Sequence, residues 1–333
     1  MTRGAFILDP QAFADIYGEE CRTALRQHAG FEAPVTTTAE VRENPPAWLA
    51  ETEVLFTGWG GPRLDEAMLA RMPRLRVVFY GAGSVRPIAT DALWRRGITV
   101  CSAAALNAQP VIEYTVGAIL LSFKRAWHQD RMVRANRTYI PLHGVPSVTG
   151  FGPTVGLVSL GLIGRGVAER LRSYDVNLLA YDPTLSAQQA ADAGARLVAL
   201  PELFQQSDII SLHTPLLPET TGLVGEKLLG GMKPNATLIN TARGGLIVES
   251  DLLRVLQARP DLQAIIDVLD PEPPAAESII YRLPNIFLTP HVAGSIGREC
   301  RRMGCAMVEE FGRYQRGEPL RYAVDSRQFS LIA

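Results

Sequence analysis

A regular alternation of short apolar runs with helical stretches is the feature that most constrains the fold. It is strictest after residue 153, where six apolar runs lie at 154–160, 176–181, 209–212, 237–240, 264–268 and 286–289. Helical stretches separate most of these runs, an order typical of βαβ units with right-handed crossovers. The first hundred residues alternate in the same way, with runs at 6–8, 54–57, 76–80 and 99–101. The pattern therefore predicts an α/β fold with largely parallel sheets.

The composition excludes several functional classes. Lys plus Arg total 33 and Asp plus Glu total 34, so there is no basic excess to attract nucleic acid or an anionic membrane. Each apolar run is shorter than the ~20 residues that span a bilayer. The first ten residues lack the long apolar stretch of a signal peptide. We therefore predict a cytoplasmic protein that binds neither nucleic acid nor membranes.

The cysteine spacing and the end of the sequence bear on two further functional classes, metal-binding proteins and allosterically regulated enzymes. Cys21, Cys101, Cys300 and Cys305 lack paired C-x-x-C spacing, so we expect reduced thiols in the core and no metal site. We expect no regulatory domain after residue 333, which disfavours an allosterically controlled biosynthetic enzyme.

The length of 333 residues suggests two domains, at ~100–200 residues each. Residues 109–126 keep helical spacing, and we expect Pro110 in the first turn of that helix, where its missing N–H costs nothing. Residues 139–153 are rich in Gly and Pro and should form a loop. The last predicted helix, 297–316, could pack back on the first domain.

We therefore predict two Rossmann-like, doubly wound parallel-sheet domains with a cleft between them. The substrate domain would be discontinuous, comprising residues 1–107 plus 296–333. The dinucleotide-binding domain would comprise residues 108–295.

A glycine-rich sequence, GLVSLGLIGRG at 156–166, lies between a predicted strand and a predicted helix. Gly161 would let the backbone approach a pyrophosphate, and Gly164 would let the helix pack against the strand. Ser159 replaces the first glycine of the usual G-x-G-x-x-G motif, and Gly156 lies too early to substitute for it. The next predicted strand ends in Asp182. In dinucleotide-binding proteins a carboxylate ~20 residues after the glycine motif accepts hydrogen bonds from the ribose hydroxyls, and Asp182 lies at this distance. Because that carboxylate would repel a 2′-phosphate, the sequence predicts NAD rather than NADP.

Polar side chains follow four successive predicted strands of the second half. They are His213 and Thr214, then Thr241 and Arg243, then Asp267 and Glu272, and finally His291. Taken singly, Arg243 could be an arginine of a surface loop, His291 a histidine that caps a turn, and Glu272 a solvated carboxylate. Ligands of open α/β sheets bind at the carboxyl ends of the strands, so we expect these side chains to converge on one edge.

This set of side chains suits the reduction of a 2-keto acid, which needs a hydride donor, a proton donor and a fixed cation. Arg243 can hold the carboxylate and the keto oxygen in a planar fork. His291 can protonate the developing alkoxide, and Glu272 beside it would orient the ring. Asp267 is better placed for the nicotinamide carboxamide than for acid–base work.

Four stretches resemble the D-isomer-specific 2-hydroxyacid dehydrogenase family. They are TVGLVSLGLIGR, HTPLLPETTGLVGEKLLGGMKPNATLINTARGGLI, DVLDPEPP and TPHVAGS. With the run at 107–121 they cover most of residues 105–297, whereas the first third of the chain resembles the family only weakly. The resemblance implies an oxidoreductase that transfers a hydride between NAD(H) and a small 2-keto or D-2-hydroxy acid. Glyoxylate, hydroxypyruvate, pyruvate and acids like 3-phosphoglycerate are candidate substrates.

The resemblance also implies roles for individual residues. The catalytic trio would be Arg243, Glu272 and His291. The cofactor contacts would come from Gly161, Leu162, Ile163, Gly164, Arg165, Asp182, His213, Thr214, Pro215, Thr241, Asp267, Ala293 and Gly294. The substrate would bind Arg243 and the backbone amides of Gly81, Ala82 and Gly83. Family members are typically homodimers joined through elements like 108–150.

The sequence leaves the substrate and the class of function open. Family members often carry Asp and a polar partner after the glycine turn, whereas this chain has Val85 and Arg86. Arg86 is either a cation for a phosphorylated substrate or an ordinary surface arginine. The competing function is an NADH-responsive binding protein, like the corepressors that share this fold and trio. Residues 1–105 show no recognisable peptide-binding groove.

Overall fold

The protein divides into two compact units. The computed structural model describes residues 3–26, 30–31, 33–139, 151–326 and 329. Unit 1 comprises Met1–Ala108 and Ser295–Ala333, and unit 2 comprises Gln109–Gly294. Unit 1 contains a four-stranded sheet and unit 2 a seven-stranded sheet, both parallel. The predicted α/β class with parallel sheets is thus confirmed.

The sheet of unit 1 has the strand order β1-β2-β3-β4. Its strands are β1 (Gly4–Phe6), β2 (Val54–Thr57), β3 (Val77–Tyr80) and β4 (Thr99–Ser102). Its helices are α1 (Pro10–Ile16), α2 (Gly18–Arg26), α3 (Thr38–Glu43), α4 (Glu66–Arg71), α5 (Asp91–Arg95) and α13 (Arg298–Gln315). Helix α6 (Ala104–Phe123) begins in unit 1 and continues into unit 2.

Successive side chains of a strand point to opposite faces, and both faces of this sheet are buried. Phe6, Phe56 and Phe79 pack on one face with α1 and α13. Leu55 and Val78 pack on the other face with α4 and α5. Helix α13 contacts α1 and β3, so the end of the chain covers the sheet that its beginning forms.

Strand β1 lies two residues earlier than the predicted run at 6–8. The carboxylate of Asp9 accepts hydrogen bonds from the backbone N–H groups of Gln11 (2.8 Å) and Ala12 (3.2 Å), which caps α1. Because the chain must leave the sheet to reach this cap, the strand ends at Phe6. The other three strands of unit 1 lie within one residue of their predicted positions.

The sheet of unit 2 has the strand order β11-β10-β9-β8-β5-β6-β7. Its strands are β5 (Thr154–Val158), β6 (Asn177–Tyr181), β7 (Arg196–Leu197), β8 (Ile209–Leu212), β9 (Thr237–Asn240), β10 (Gln263–Ile266) and β11 (Ile286–Leu288). Its further helices are α7 (Ala126–Asn136), α8 (Leu162–Leu171), α9 (Ala187–Asp192), α10 (Leu200–Gln206), α11 (Glu226–Gly230) and α12 (Glu249–Ala258). The strand order reverses between β5 and β8, and ligands of such sheets bind at this switch point.

The core of unit 2 fills both faces of its sheet. Ile210 and Leu238 pack on one face with side chains of α10 and α12. Leu157, Ile239 and Ile265 on the alternate positions are also fully buried. Strands buried on both faces read as continuous apolar runs, which is why they were visible in the sequence. No helix among the described residues is long and apolar enough to cross a membrane.

The helix predicted over 109–126 is wrong at its beginning. Helix α6 starts at Ala104, whose N–H donates to Ser102 Oγ (3.1 Å), and Pro110 therefore lies in the helix interior. Proline has no N–H for the carbonyl four residues earlier. That carbonyl, on Leu106, instead accepts a hydrogen bond from the side chain of Arg302 (3.3 Å). This compensation comes from a distant part of the sequence, so local spacing could not predict it.

The same prediction is also wrong at its end. Arg125 has a left-handed backbone (φ 49°) that separates α6 from α7. Its buried guanidinium donates to Asn235 Oδ1 (2.7 Å) and to the carbonyl of Asp261 (2.9 Å). Of the loop predicted at 139–153, residues 140–150 lie outside the described residues.

Candidate active site

The glycine turn lies between β5 and α8 at the switch point of the unit 2 sheet. A Cβ at Gly164 would lie 2.2 Å from the carbonyl oxygen of Ser159, so only glycine allows this approach of helix to strand. A Cβ at Gly161 would meet no atom of the described chain within 4 Å, so there is open space beside this residue. No side chain in the described part of the protein caps the first turn of α8, and its N–H groups can receive an anion.

Ser159 occupies the position of the missing first glycine. Its backbone is left-handed (φ 80°), a conformation that glycine adopts most easily. Two contacts hold it there. The N–H of Ser159 donates to the carbonyl of Tyr181 (2.7 Å), and its Oγ donates to Asp182 Oδ2 (3.2 Å). The turn therefore keeps the shape that the glycine motif requires, despite the substitution.

Asp182 is almost fully buried at the end of β6. Its Oδ2 accepts from Ser159 Oγ and from the N–H of Leu160 (2.9 Å). Its Oδ1 accepts from the N–H (2.9 Å) and Oγ1 (2.6 Å) of Thr184. Burial would raise the pKa of Asp182, but these hydrogen bonds outweigh it and lower the pKa below its ordinary value. A carboxylate accepts about four hydrogen bonds, so a ribose hydroxyl would have to replace a hydroxyl donor already present.

His213 and Thr214 follow β8, on the other side of the switch point. The N–H of His213 (2.9 Å) and Thr214 Oγ1 (3.2 Å) both donate to the carbonyl of Val158. Burial lowers the pKa of His213 to about 4, so its imidazole is neutral at physiological pH. Its Nε2 is buried and has no hydrogen-bond partner within the described ranges. A neutral ring nitrogen beside the glycine turn is available to a bound cofactor.

Glu272 and His291 form a direct pair after β10 and β11. His291 Nδ1 lies 2.8 Å from Glu272 Oε1, and both side chains are about half exposed. Because an ionised carboxylate only accepts, Nδ1 carries the proton in this contact. Nε2 is then the ring nitrogen that can exchange a proton with a ligand. This arrangement fits a general acid–base histidine oriented by a carboxylate.

Asp267 anchors the loop that carries His291. Its carboxylate is buried and accepts from Thr289 Oγ1 (2.6 Å), the N–H of Val292 (2.9 Å) and the N–H of Ala293 (3.0 Å). Its backbone carbonyl accepts from the N–H of His291 (2.9 Å), which has the left-handed φ of 57°. The structure therefore gives Asp267 a structural role, and the contact to the nicotinamide carboxamide stays a prediction.

Arg243 follows β9, the neighbour of β10 in the sheet. The fully buried Asn240 fixes this turn, because its Nδ2 donates to the carbonyl of Arg243 (2.9 Å) and its Oδ1 accepts from the N–H of Ala242 (3.0 Å). A Cβ at Gly244 would lie 2.0 Å from the carbonyl carbon of Leu269. The loop of Arg243 thus packs directly against the loop that leads to Glu272.

The sequence reasoning missed three hydroxyl residues beside these loops, namely Tyr114, Thr115 and Thr289. Tyr114 Oη lies 2.8 Å from Thr289 Oγ1, and Thr115 Oγ1 lies 3.0 Å from Thr241 Oγ1. Tyr114 and Thr115 are consecutive residues of α6. The available signal was a pair of adjacent hydroxyl side chains in the predicted helix, but the spacing of residues 109–126 indicated only that a helix forms.

The glycine turn of unit 1 follows β3. A Cβ at Gly81 would lie 2.5 Å from Tyr17 Oη and 2.6 Å from Ile16 Cγ2, both on buried side chains, so this position requires glycine. A Cβ at Gly83 would lie 2.8 Å from Asn107 Nδ2, the end of a flexible side chain. Arg86 nearby packs over the ring of Phe329 (5.5 Å from its guanidinium carbon to the ring centre) and donates to the carbonyl of that residue (3.3 Å). These contacts favour a structural role for Arg86 over binding of a substrate phosphate.

The amino-acid sequence is similar to those of dehydrogenases from other organisms. An (S)-sulfolactate dehydrogenase of Chromohalobacter salexigens is 32% identical over 252 residues, which cover 75% of this chain and 81% of that protein. A D-3-phosphoglycerate dehydrogenase of Archaeoglobus fulgidus is 29% identical over 263 residues, which cover 79% of this chain but 50% of that protein. The chain therefore spans about half the length of the phosphoglycerate dehydrogenases that it matches.

A solved structure with a similar fold and a family model both match this chain. The crystal structure of D-mandelate dehydrogenase from Rhodotorula graminis matches 98% of both chains with a TM-score of 0.81 and 22% identity, which shows a shared fold. Residues 116–293, just over half of the chain, match the family model described as D-isomer specific 2-hydroxyacid dehydrogenase, NAD binding domain. The matched range lies within unit 2 and contains the glycine turn, Asp182, Arg243, Glu272 and His291. The chain therefore belongs to the D-isomer-specific 2-hydroxyacid dehydrogenase family, and unit 2 carries its NAD-binding domain.

Proposed function

We propose that this protein is an NAD-dependent D-2-hydroxyacid dehydrogenase that acts on a small 2-keto or D-2-hydroxy acid. The observation that carries the proposal is the 2.8 Å contact between His291 Nδ1 and Glu272 Oε1 in the NAD-binding domain. An imidazole oriented by a carboxylate is the acid–base device that a carbonyl reduction needs. The position of Arg243 after the adjacent strand supports the same chemistry.

The proposed roles follow from the chemistry of each side chain. NADH, when bound, supplies the hydride that C2 of the keto acid accepts. His291 Nε2 gives its proton to the oxygen on C2, which yields the 2-hydroxy acid. Glu272 stabilises the imidazolium form and keeps Nδ1 directed away from the substrate. Arg243 binds the carboxylate of the substrate through two parallel hydrogen bonds. In the oxidation direction His291 takes the proton back.

We propose that NAD lies against the glycine turn and the carboxyl ends of β8, β9 and β10. Three features of the described residues support this placement: the open space beside Gly161, the start of α8 without a side-chain cap, and the buried Nε2 of His213 without a partner. Asp182 supports NAD over NADP, because its buried negative charge would repel a 2′-phosphate. The substrate contacts of Gly81, Ala82 and Gly83 and the cytoplasmic location stay predictions.

The decisive experiment is a screen of purified protein with NADH and NADPH against a panel of keto acids. The panel contains glyoxylate, hydroxypyruvate, pyruvate and the keto acids that correspond to 3-phosphoglycerate and sulfolactate. We expect turnover of at least one acid, faster with NADH than with NADPH, and a D-configured product where C2 becomes chiral. Tight NADH binding without turnover of any acid would contradict the proposal that the protein is an enzyme, and it would favour an NADH-responsive binding protein.

We also propose a homodimer formed through α6 and α7. None of the residues of α7 is buried in the single chain, and four large apolar side chains in this region are exposed: Leu121, Met132, Tyr139 and Phe151. We expect a partner subunit to cover these side chains, since large exposed apolar patches often mark protein–protein interfaces. The predicted interface, 108–150, includes residues 140–150, which lie outside those that the structure describes.

Sedimentation velocity tests this interface. We expect the mass of a dimer for the unmodified protein and of a monomer for the double variant Leu121→Glu, Met132→Glu. Tyr174→Glu is the matched control, because Tyr174 is a similarly exposed apolar residue of unit 2 outside α6 and α7. A dimer that survives the double substitution, or an unmodified protein that is a monomer, would contradict this interface.

A further inference from the structure

Helix α6 is hydrogen-bonded to both loops that carry the proposed catalytic residues. Tyr114 contacts Thr289, which lies two residues before His291. Thr115 contacts Thr241, which lies two residues before Arg243. Consecutive residues of a helix point about 100° apart, so a single turn of α6 can reach two different loops.

The direction of the hydrogen bonds at Tyr114 follows from Asp267. Thr289 Oγ1 has one proton and donates it to the carboxylate of Asp267 (2.6 Å). Tyr114 Oη must therefore donate to Thr289 Oγ1, since a hydroxyl has no second proton. Burial and the nearby charge of Asp267 raise the pKa of Tyr114, although the bond to Thr289 lowers it, so the phenol keeps its proton.

This network continues to the backbone of His291. The side chain of Asp267 accepts the hydrogen bond from Thr289, and the backbone carbonyl of Asp267 accepts a hydrogen bond from the N–H of His291 (2.9 Å). His291 has a left-handed backbone, which persists only where neighbouring contacts hold it. The second contact, between Thr115 and Thr241, is fully buried and therefore shielded from competing water.

We propose that Tyr114 and Thr115 are positioning residues, through which α6 fixes the placement of His291 and Arg243 respectively. Neither residue touches the substrate in this scheme. The inference rests on the proposed function, because it assigns the two contacts to the placement of an acid–base group and of a carboxylate-binding group.

The two positions predict different kinetic signatures. Tyr114→Phe should lower kcat by about tenfold with little change in either KM, because the proton donor is misplaced. The primary deuterium isotope effect with deuterated NADH should rise, because the chemical step then limits turnover more fully. Thr115→Val should instead raise KM for the keto acid by about fivefold, because Arg243 is less well held.

Tyr174→Phe is the matched control, because it removes a tyrosine hydroxyl from an exposed site of unit 2. It should keep the wild-type kcat, KM and isotope effect. A merely structural role of Tyr114 would lower the melting temperature and the amount of active enzyme but leave the isotope effect unchanged. That outcome, or an unchanged kcat in Tyr114→Phe, overturns the inference.

A second measurement does not depend on turnover. In protein labelled with ¹⁵N-histidine, Tyr114→Phe should shift the ring-nitrogen resonances of His291, and Tyr174→Phe should not. Unchanged His291 resonances in Tyr114→Phe overturn the inference even if the enzyme is active. Absence of turnover in the unmodified protein counts against the proposed function alone, since the resonance shift can still be observed.

Discussion

Replacing His291 with alanine should lower kcat for the best keto acid by about 10²–10⁴-fold, with little change in KM. The variant loses the group that protonates the oxygen on C2, while Arg243 still binds the carboxylate. Water can replace the proton donor only poorly, because it is neither positioned nor matched in acidity. The measurement is steady-state oxidation of NADH by the variant and the unmodified enzyme at saturating substrate.

Comparing His291→Ala with the milder variant Glu272→Gln distinguishes a loss of proton transfer from a loss of structure. Glu272→Gln should reduce kcat by about tenfold, because the amide oxygen can still accept from Nδ1 but carries no charge to stabilise the imidazolium. Both variants should bind NADH and melt as the unmodified protein does, since both side chains are half exposed. Equal kcat in His291→Ala and the unmodified enzyme would remove the histidine from the mechanism.

The fold was predictable because its parallel strands are buried on both faces. Residues such as Leu157, Ile210 and Ile239 must be apolar whichever face they occupy, so their strands appear as unbroken runs in the sequence. The gathering of polar side chains at one edge of the sheet was predictable for a related reason, because the carboxyl ends of parallel strands lie on the same side. The structure shows β8, β9, β10 and β11 as neighbours and brings Glu272 onto His291. The catalytic roles of these residues stay a prediction.

The remaining features depend on contacts between distant parts of the sequence. Pro110 fits the middle of α6 because Arg302 supplies the hydrogen bond that the proline cannot. Ser159 keeps a glycine-like backbone because Asp182 and Tyr181 hold it. Tyr114 reaches Thr289 only once α6 lies beside the loop that follows β11. Local spacing carries no information on any of these partners, so sequence reasoning missed them.

Replacing Arg243 with alanine should lower kcat/KM for the keto acid by about 10²–10⁴-fold, through both a higher KM and a lower kcat. Two charge-assisted hydrogen bonds to the carboxylate are lost, each worth ~1.5–3 kcal/mol. The substrate is also less well aligned for hydride transfer, so kcat falls with affinity. Arg243→Lys should recover only part of the loss, because an ammonium keeps the charge but not the planar fork.

The turn around Arg243 gives this experiment an internal control. Among the described residues, the side chain of Asn240 bonds to backbone atoms of residues 242 and 243, so it should hold the turn after the side chain of Arg243 is removed. NADH affinity and the melting temperature should therefore stay close to those of the unmodified protein. Added guanidinium should restore part of the activity of Arg243→Ala, whereas uncharged urea should not, because recognition of a carboxylate requires the cation. Wild-type kinetics in Arg243→Ala, or equal rescue by urea and guanidinium, would show that the carboxylate of the substrate is bound elsewhere.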